Sequence, residues 1–146
     1  MQLLRETLLK DIMVTRIVSI NITDPFSFVW INMQKHHVRH LPVLDEQGKL
    51  AGIITERDLF RIAPPHKTED GWVYDEDQLD TFVLETQMTA NPIRLKPTNT
   101  IADAIEIFVL RRYGCIPIVT DETKLVGLVT PTDVLKFIGR WLNLKI

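Results

Sequence analysis

Apolar residues in this chain fall in short blocks that alternate between strand-like runs and helical stripes. Leu41-Pro42-Val43-Leu44 and Leu50-Ala51-Gly52-Ile53-Ile54 have the length of strands, and the second is apolar enough to be buried on both faces. Pro42 suits a strand start or edge. Asp45-Glu46-Gln47-Gly48 between them carries turn chemistry, with Gly48 free to take a positive φ. Thr55 ends the second run and caps the helix predicted after it. Two more short strands are predicted at Ile17–Ile20 and Pro92–Leu95. Helical spacing appears in Phe26, Val29, Trp30 and Met33, with Pro25 in the opening turn, and in Ile101, Ala104, Ile105 and Phe108 after a Thr98-Asn99-Thr100 cap. Leu4, Leu8 and Leu9 predict a short helix over residues 3–12. Leu79, Val83 and Leu84 predict its counterpart, with Asp75 as N-cap and Gln78 three residues on. In the last helix Val134, Leu135, Ile138, Trp141 and Leu142 form a stripe that Phe137 and Leu144 widen beyond one face.

These blocks occur twice. Pro42 and Pro117, Gly52 and Gly127, Thr55 and Thr130, and Asp58 and Asp133 all stand 75 residues apart. The expected organisation is a first repeat over residues 1–63, a linker over 64–74 rich in breakers and charges, and a second repeat over 75–146. His40-Leu41-Pro42-Val43-Leu44-Asp45 and Gly52-Ile53-Ile54-Thr55-Glu56-Arg57-Asp58-Leu59, with their second copies, resemble the CBS domain motif, the cystathionine-β-synthase-type repeat that occurs in tandem pairs. The resemblance covers nearly the whole chain and leaves no stretch for an attached enzyme or transporter domain. It implies an α/β fold of two pseudo-symmetric CBS repeats, each a short sheet with flanking helices, packed sheet to sheet as a CBS pair.

Thr55-Glu56-Arg57-Asp58 and Thr130-Pro131-Thr132-Asp133 set a hydroxyl and a carboxylate three apart at a helix start. Capping explains both by itself, and Pro131 suits the first helical position. The same groups also suit a nucleotide, because a helix N-terminus favours phosphate and a carboxylate accepts from both hydroxyls of a ribose. The family resemblance favours binding and implies one site of Val18, Ile20, Leu41, Thr55 and Asp58 and another of Ile93, Leu95, Ile116, Thr130 and Asp133. It also implies basic phosphate ligands, for which Arg39, His40 and Arg57 are the candidates ahead of Arg111 and Arg112. The second copy departs from the first: Gly114 stands for Arg39, Cys115 for His40, Thr123 for Gly48 and Pro131-Thr132 for Glu56-Arg57. The two sites are therefore expected to be unequal.

Composition narrows the partners. At 146 residues the chain is long enough for one real core. With 17 Lys plus Arg against 19 Asp plus Glu, a net charge of −2 offers no general attraction to nucleic acid. No stretch reads as a signal-peptide core or a membrane helix, and the single Cys115 fits a reducing, cytoplasmic setting. Cys115 itself is expected to be buried and inert. His36, His37 and His40 invite a metal, but Pro42 ends the helix before His40 and no carboxylate or cysteine completes a set, so solvated helix-end histidines are expected. Trp72 and Tyr74 are expected to pin the linker over the seam between the halves. No phosphate loop, dinucleotide fingerprint or nucleophile elbow occurs, so no catalytic residue is assigned. The expected function is a regulatory module that senses an adenosine-containing ligand (AMP, ADP, ATP or a related molecule, with or without magnesium) in clefts between the repeats. It would act as a homodimer on a regulated protein partner. The alternatives are a ligand-free dimerisation or interaction scaffold and a small enzyme.

Overall fold

The computed structural model describes residues 2–146; residue 1 of the first repeat lies outside them. In chain order the elements are α1 (Gln2–Glu6), a 3₁₀ turn (Leu9–Asp11), β1 (Ile20–Asn21), α2 (Ser27–His36), β2 (His40–Leu44), β3 (Leu50–Thr55), α3 (Glu56–Ile62), β4 (His66–Thr68), β5 (Gly71–Val73), α4 (Glu76–Leu79), α5 (Leu84–Gln87), β6 (Thr89–Ala90), α6 (Ile101–Arg111), β7 (Ile116–Val119), β8 (Leu125–Val129) and α7 (Pro131–Trp141). The chain divides into two compact α/β units, one spanning Val18–Pro92 and the other joining the chain up to Ile17 with Ile93–Ile146. The compact units are thus cut differently from the sequence repeats. The segment ahead of each repeat completes the other repeat's core.

In the Val18–Pro92 unit, β1, β2, β3 and β6 form one sheet in that order, β1 parallel to β2 and the rest antiparallel. Its core gathers Phe26 just ahead of α2, Val29 and Met33 from α2, Leu41 and Val43 from β2, Ile54 from β3 and Leu59 from α3. Leu79 and Leu84 join them although they lie beyond the linker. Both are essentially unexposed, so each contributes about 1.5–3 kcal/mol relative to an exposed leucine. Met88 lies where a Cβ on Gly52 would stand, so the absence of a side chain at Gly52 is what admits the segment carrying β6. The start of α2 departs from expectation. Pro25 lies ahead of the helix, Phe26 offers no side-chain cap, and the carboxylate of Asp80 accepts instead from the Ser27 N–H at 2.8 Å. The linker contains a hairpin, β4 pairing with β5 around a positive-φ Gly71. Tyr74 packs its ring on Trp30 at 4.7 Å, whereas Trp72 is 63% exposed.

The second unit repeats this plan with thinner edges. β7 and β8 form its ladder, and single bridges Leu95↔Ile118 and Val14↔Leu128 stand where the first unit has β1 and β6. Met13 lies over Gly127 as Met88 lies over Gly52. The core holds Leu9, Ile101, Ala104, Ile116, Ile118, Val129 and Val134. The helix expected over 3–12 is broken. Its backbone groups go instead to the loop before α6: Leu9 N–H donates to the Asn99 carbonyl at 2.8 Å and Ile101 N–H to the Thr7 carbonyl at 3.0 Å, while the Thr7 hydroxyl turns back on the Leu3 carbonyl. The counterpart expected around Leu79, Val83 and Leu84 is broken likewise into α4 and α5, with Asp75 capping as expected through Gln78 N–H at 3.1 Å.

Candidate functional site

Each unit carries one Thr-x-x-Asp element at the junction of its ladder with the helix that follows. β3 ends at Thr55 and β8 just before Thr130, and both threonines are extended (φ −118°, ψ 162° and φ −119°, ψ 163°), which turns the hydroxyl toward the new helix. Thr55 N–H and hydroxyl both donate to Asp58 Oδ2 at 3.0 Å, and Asp58 N–H returns a bond to the Thr55 hydroxyl at 3.2 Å. Thr130 makes the same two bonds to Asp133 Oδ2 at 2.8 Å and receives Asp133 N–H at 3.4 Å. Both sequence readings are thus compatible, because the reciprocal cap occupies one carboxylate oxygen and leaves the other. The second oxygens differ. Asp58 Oδ1 takes Arg61 Nη2 at 3.3 Å, while among the described residues no cation pairs with Asp133. Arg61 was missed from the sequence, although its i, i+3 spacing from Asp58 was readable.

The candidate basic residues at the first element sit as follows. His40 lies directly across the ladder from Thr55, so the two side chains share a face. The Arg39 carbonyl accepts Glu56 N–H at 2.9 Å, and its guanidinium, 82% exposed, stands 3.9 Å from the Glu56 carboxylate. A pair so exposed holds Arg39 weakly. Arg57 is exposed on the first turn of α3. Burial lowers the pKa of the His40 imidazole below its ordinary value and Arg39 lowers it further, outweighing the pull of Asp58 and Glu56. The apolar candidates divide: Val18, Ile93 and Leu95 are half-buried, whereas Ile20, Leu41 and Ile116 are buried in the cores and hold the strands in place.

The second element has other neighbours. Asp133 shares a small pocket of about 120 Å³ with Asp11, Ile12, Met13, Phe137 and Arg140. Cys115 is 5% exposed, and its thiol is pushed up to about 12 by burial and then by the Asp133 carboxylate. It stays protonated at neutral pH, and a thiol that stays protonated is a poor nucleophile. His36 and His37 lie exposed at the end of α2, where His37 is left-handed (φ 52°), as is Arg112 after α6 (φ 54°). Among the described residues no cluster of His, Cys, Asp and Glu is placed to hold a metal, and no helix is long and apolar enough to cross a membrane.

The CBS domain family model matches residues 9–64 and again 83–140. The chain belongs to the CBS domain family. A CBS domain-containing protein of Dictyostelium discoideum is 28% identical over 135 residues, covering 89% of this chain and 90% of the relative. Inosine-5′-monophosphate dehydrogenase of Methanocaldococcus jannaschii is 28% identical over 126 residues, but the match covers 86% of this chain and only 22% of that enzyme. Among solved structures, a CBS domain pair in complex with 5′-methylthioadenosine and S-adenosyl-L-methionine superposes with a TM-score of 0.76 at 25% identity, covering 92% of this chain and 98% of the other. The pair protein CBSX2 in complex with AMP has the same fold, with a TM-score of 0.77 at 19% identity over 93% of this chain and 98% of its own.

Proposed function

We propose that this CBS pair is a non-catalytic regulatory module that binds an adenosine-containing ligand through its Thr-x-x-Asp elements, with the carboxylates of Asp58 and Asp133 on the ribose hydroxyls. The observation that carries this reading is the duplicated carboxylate, half-buried in the same backbone geometry twice, with one oxygen committed to the cap and the other directed elsewhere. The structural relative with 5′-methylthioadenosine and S-adenosyl-L-methionine supports the ligand class. Val18 at the first element, and Ile93 and Leu95 at the second, would wall the base, while Ile20, Leu41 and Ile116, buried in the cores, hold the strands that carry the site. Arg39, His40 and Arg57 would meet phosphates at the first element, while Asp133 has the less encumbered carboxylate at the second. Ligand binding would shift the equilibrium between conformations that a cytoplasmic protein partner distinguishes.

A homodimer is part of the same reading, resting on apolar side chains left in solvent: Leu135, Trp141, Leu142 and Leu144 at the C-terminal helix and Val109 and Leu110 on α6 are all more than half exposed. Those residues also favour the second reading, a scaffold that works without ligand. Thermal shift with AMP, ADP, ATP, S-adenosylmethionine and NAD, each with and without magnesium, separates the two. A ligand at 100 times its Kd adds about 2.7 kcal/mol, or roughly 2–8 °C for a chain of this size. A flat response to the whole panel would favour the scaffold, and turnover of a nucleotide would favour an enzyme.

A further inference from the structure

His40 is the titratable side chain that most separates the two elements. It stands on the face of β2 shared with Thr55, whose hydroxyl is bonded to Asp58. The charges around it are nearly matched: Arg39 is its chain neighbour, and α3 brings Glu56 and Asp58 with Arg57 and Arg61, the last already paired to Asp58. Two carboxylates favour the imidazolium, and burial together with Arg39 outweighs them and lowers the pKa of the ring. An anion arriving beside Arg39 would cancel that cation and add negative charge of its own. Both changes act in the direction of protonation.

We propose that His40 makes phosphate binding at the first repeat proton-linked, so that a phosphate-bearing nucleotide is taken up together with a proton on the imidazole and an uncharged nucleoside is not. The inference rests on the reading that a nucleotide sits at Thr55 and Asp58. It makes pH an input to the module: above the phosphate's own second pKa of ~6, affinity for the phosphorylated ligand rises as pH falls, by at most about tenfold per pH unit for one linked proton. The second repeat has no such input, because Cys115, at the position of His40, keeps its proton throughout the neutral range. The cation cluster alone, without His40, would take up no proton at pH 7.5, where the phosphate is already mostly dianionic and Arg39, Arg57 and Arg61 do not titrate.

The test is calorimetric titration of AMP and of adenosine at pH 7.5 in two buffers of different ionisation enthalpy, whose difference gives the protons taken up. The expected result is a measurable fraction of a proton with AMP and none with adenosine. His40→Gln should abolish the uptake and weaken AMP more than adenosine. His40→Lys, which carries a fixed charge, should retain AMP affinity with no uptake, and circular dichroism checks that both variants fold. AMP binding without proton uptake, or with the same uptake in His40→Gln, would overturn the linkage and leave the binding module standing. Failure of the wild-type protein to bind either compound would overturn both.

Discussion

The two Thr-x-x-Asp elements share a backbone to within a degree at the threonine and differ in almost every side chain that surrounds them. Around Asp58 stand Arg39, His40, Arg57 and Arg61; around Asp133 stand a buried thiol at the position of His40, no cation within pairing distance among the described residues, and Arg140 across a small pocket. Backbone identity persists because capping demands it: each helix start needs an acceptor for its first N–H groups whatever else the residues do. Side-chain divergence is what a purely structural role would permit and what two unequal binding sites would require. Experiments that treat the repeats in parallel therefore carry the most information.

The largest effect should come from the exchanged segments. Leu84→Ala should destabilise the Val18–Pro92 unit and Leu9→Ala the other, each by about 2–5 kcal/mol, since each leucine is buried in its unit's core. Hydrogen exchange locates the damage. Loss of protection chiefly at 93–146 in Leu84→Ala would break the comparison. Next come the glycines under the methionines. A Cβ in Gly52→Ala meets the Thr89 carbonyl oxygen at 2.9 Å as well as Met88, whereas the three atoms nearest a Cβ in Gly127→Ala all belong to Met13, whose own Cβ is 3.1 Å away and whose outer atoms can swing aside. Both overpack, at about 1–3 kcal/mol, and Gly52→Ala should lie at the upper end with the lower denaturant midpoint.

A smaller effect of opposite sign is expected at the turns. Gly48 takes φ +75° at no cost, but its counterpart Thr123 holds φ +66° with a β-branched side chain. Thr123→Gly should raise the unfolding midpoint by up to about 1 kcal/mol of stability, while Gly48→Thr should lower it. The smallest effect concerns pH. Folding lowers the pKa of His40, so the unfolded chain binds the proton more readily, and stability falls as pH drops below the ordinary imidazole value of ~6.5 toward the folded pKa. Urea midpoints of His40→Gln should be flatter than wild type over that interval, and a change at Cys115 should not flatten them.

The repeat itself was legible in the sequence because strands, turns and caps are local. Thr55, Asp58, Thr130 and Asp133 formed the reciprocal caps that their spacing announced, and Gly48 took the positive φ its turn required. The exchange was not legible. A stripe such as Leu4, Leu8 and Leu9 says that a segment is buried, but nothing in its period says in which core, and two cores built from one repeat offer nearly equivalent places. The same ambiguity hid the break after Glu6, which follows from hydrogen bonds to Asn99 and Thr7 that only the packed segment makes. The hairpin within the linker was masked by Pro64, Pro65 and a charged run, although Gly71 marked its turn. At the site, the duplicated carboxylates were readable and their unequal neighbours partly so, while Arg61 on Asp58 was missed although both stand on one helix three residues apart.

The most direct measurement is AMP affinity by calorimetry set against the denaturant midpoint for Asp58→Ala, Asp133→Ala and the double variant. Loss of a first-turn carboxylate should cost about 0.3–1 kcal/mol of stability in each single variant, since Thr55 and Thr130 remain as N-caps. Loss of a ribose ligand should cost roughly 1.5–3 kcal/mol of affinity, or about 10- to 150-fold, in at least one of them and in the double variant. Stability that falls while AMP affinity stays at the wild-type value in all three would contradict the account, and would leave the Thr-x-x-Asp elements as helix caps alone.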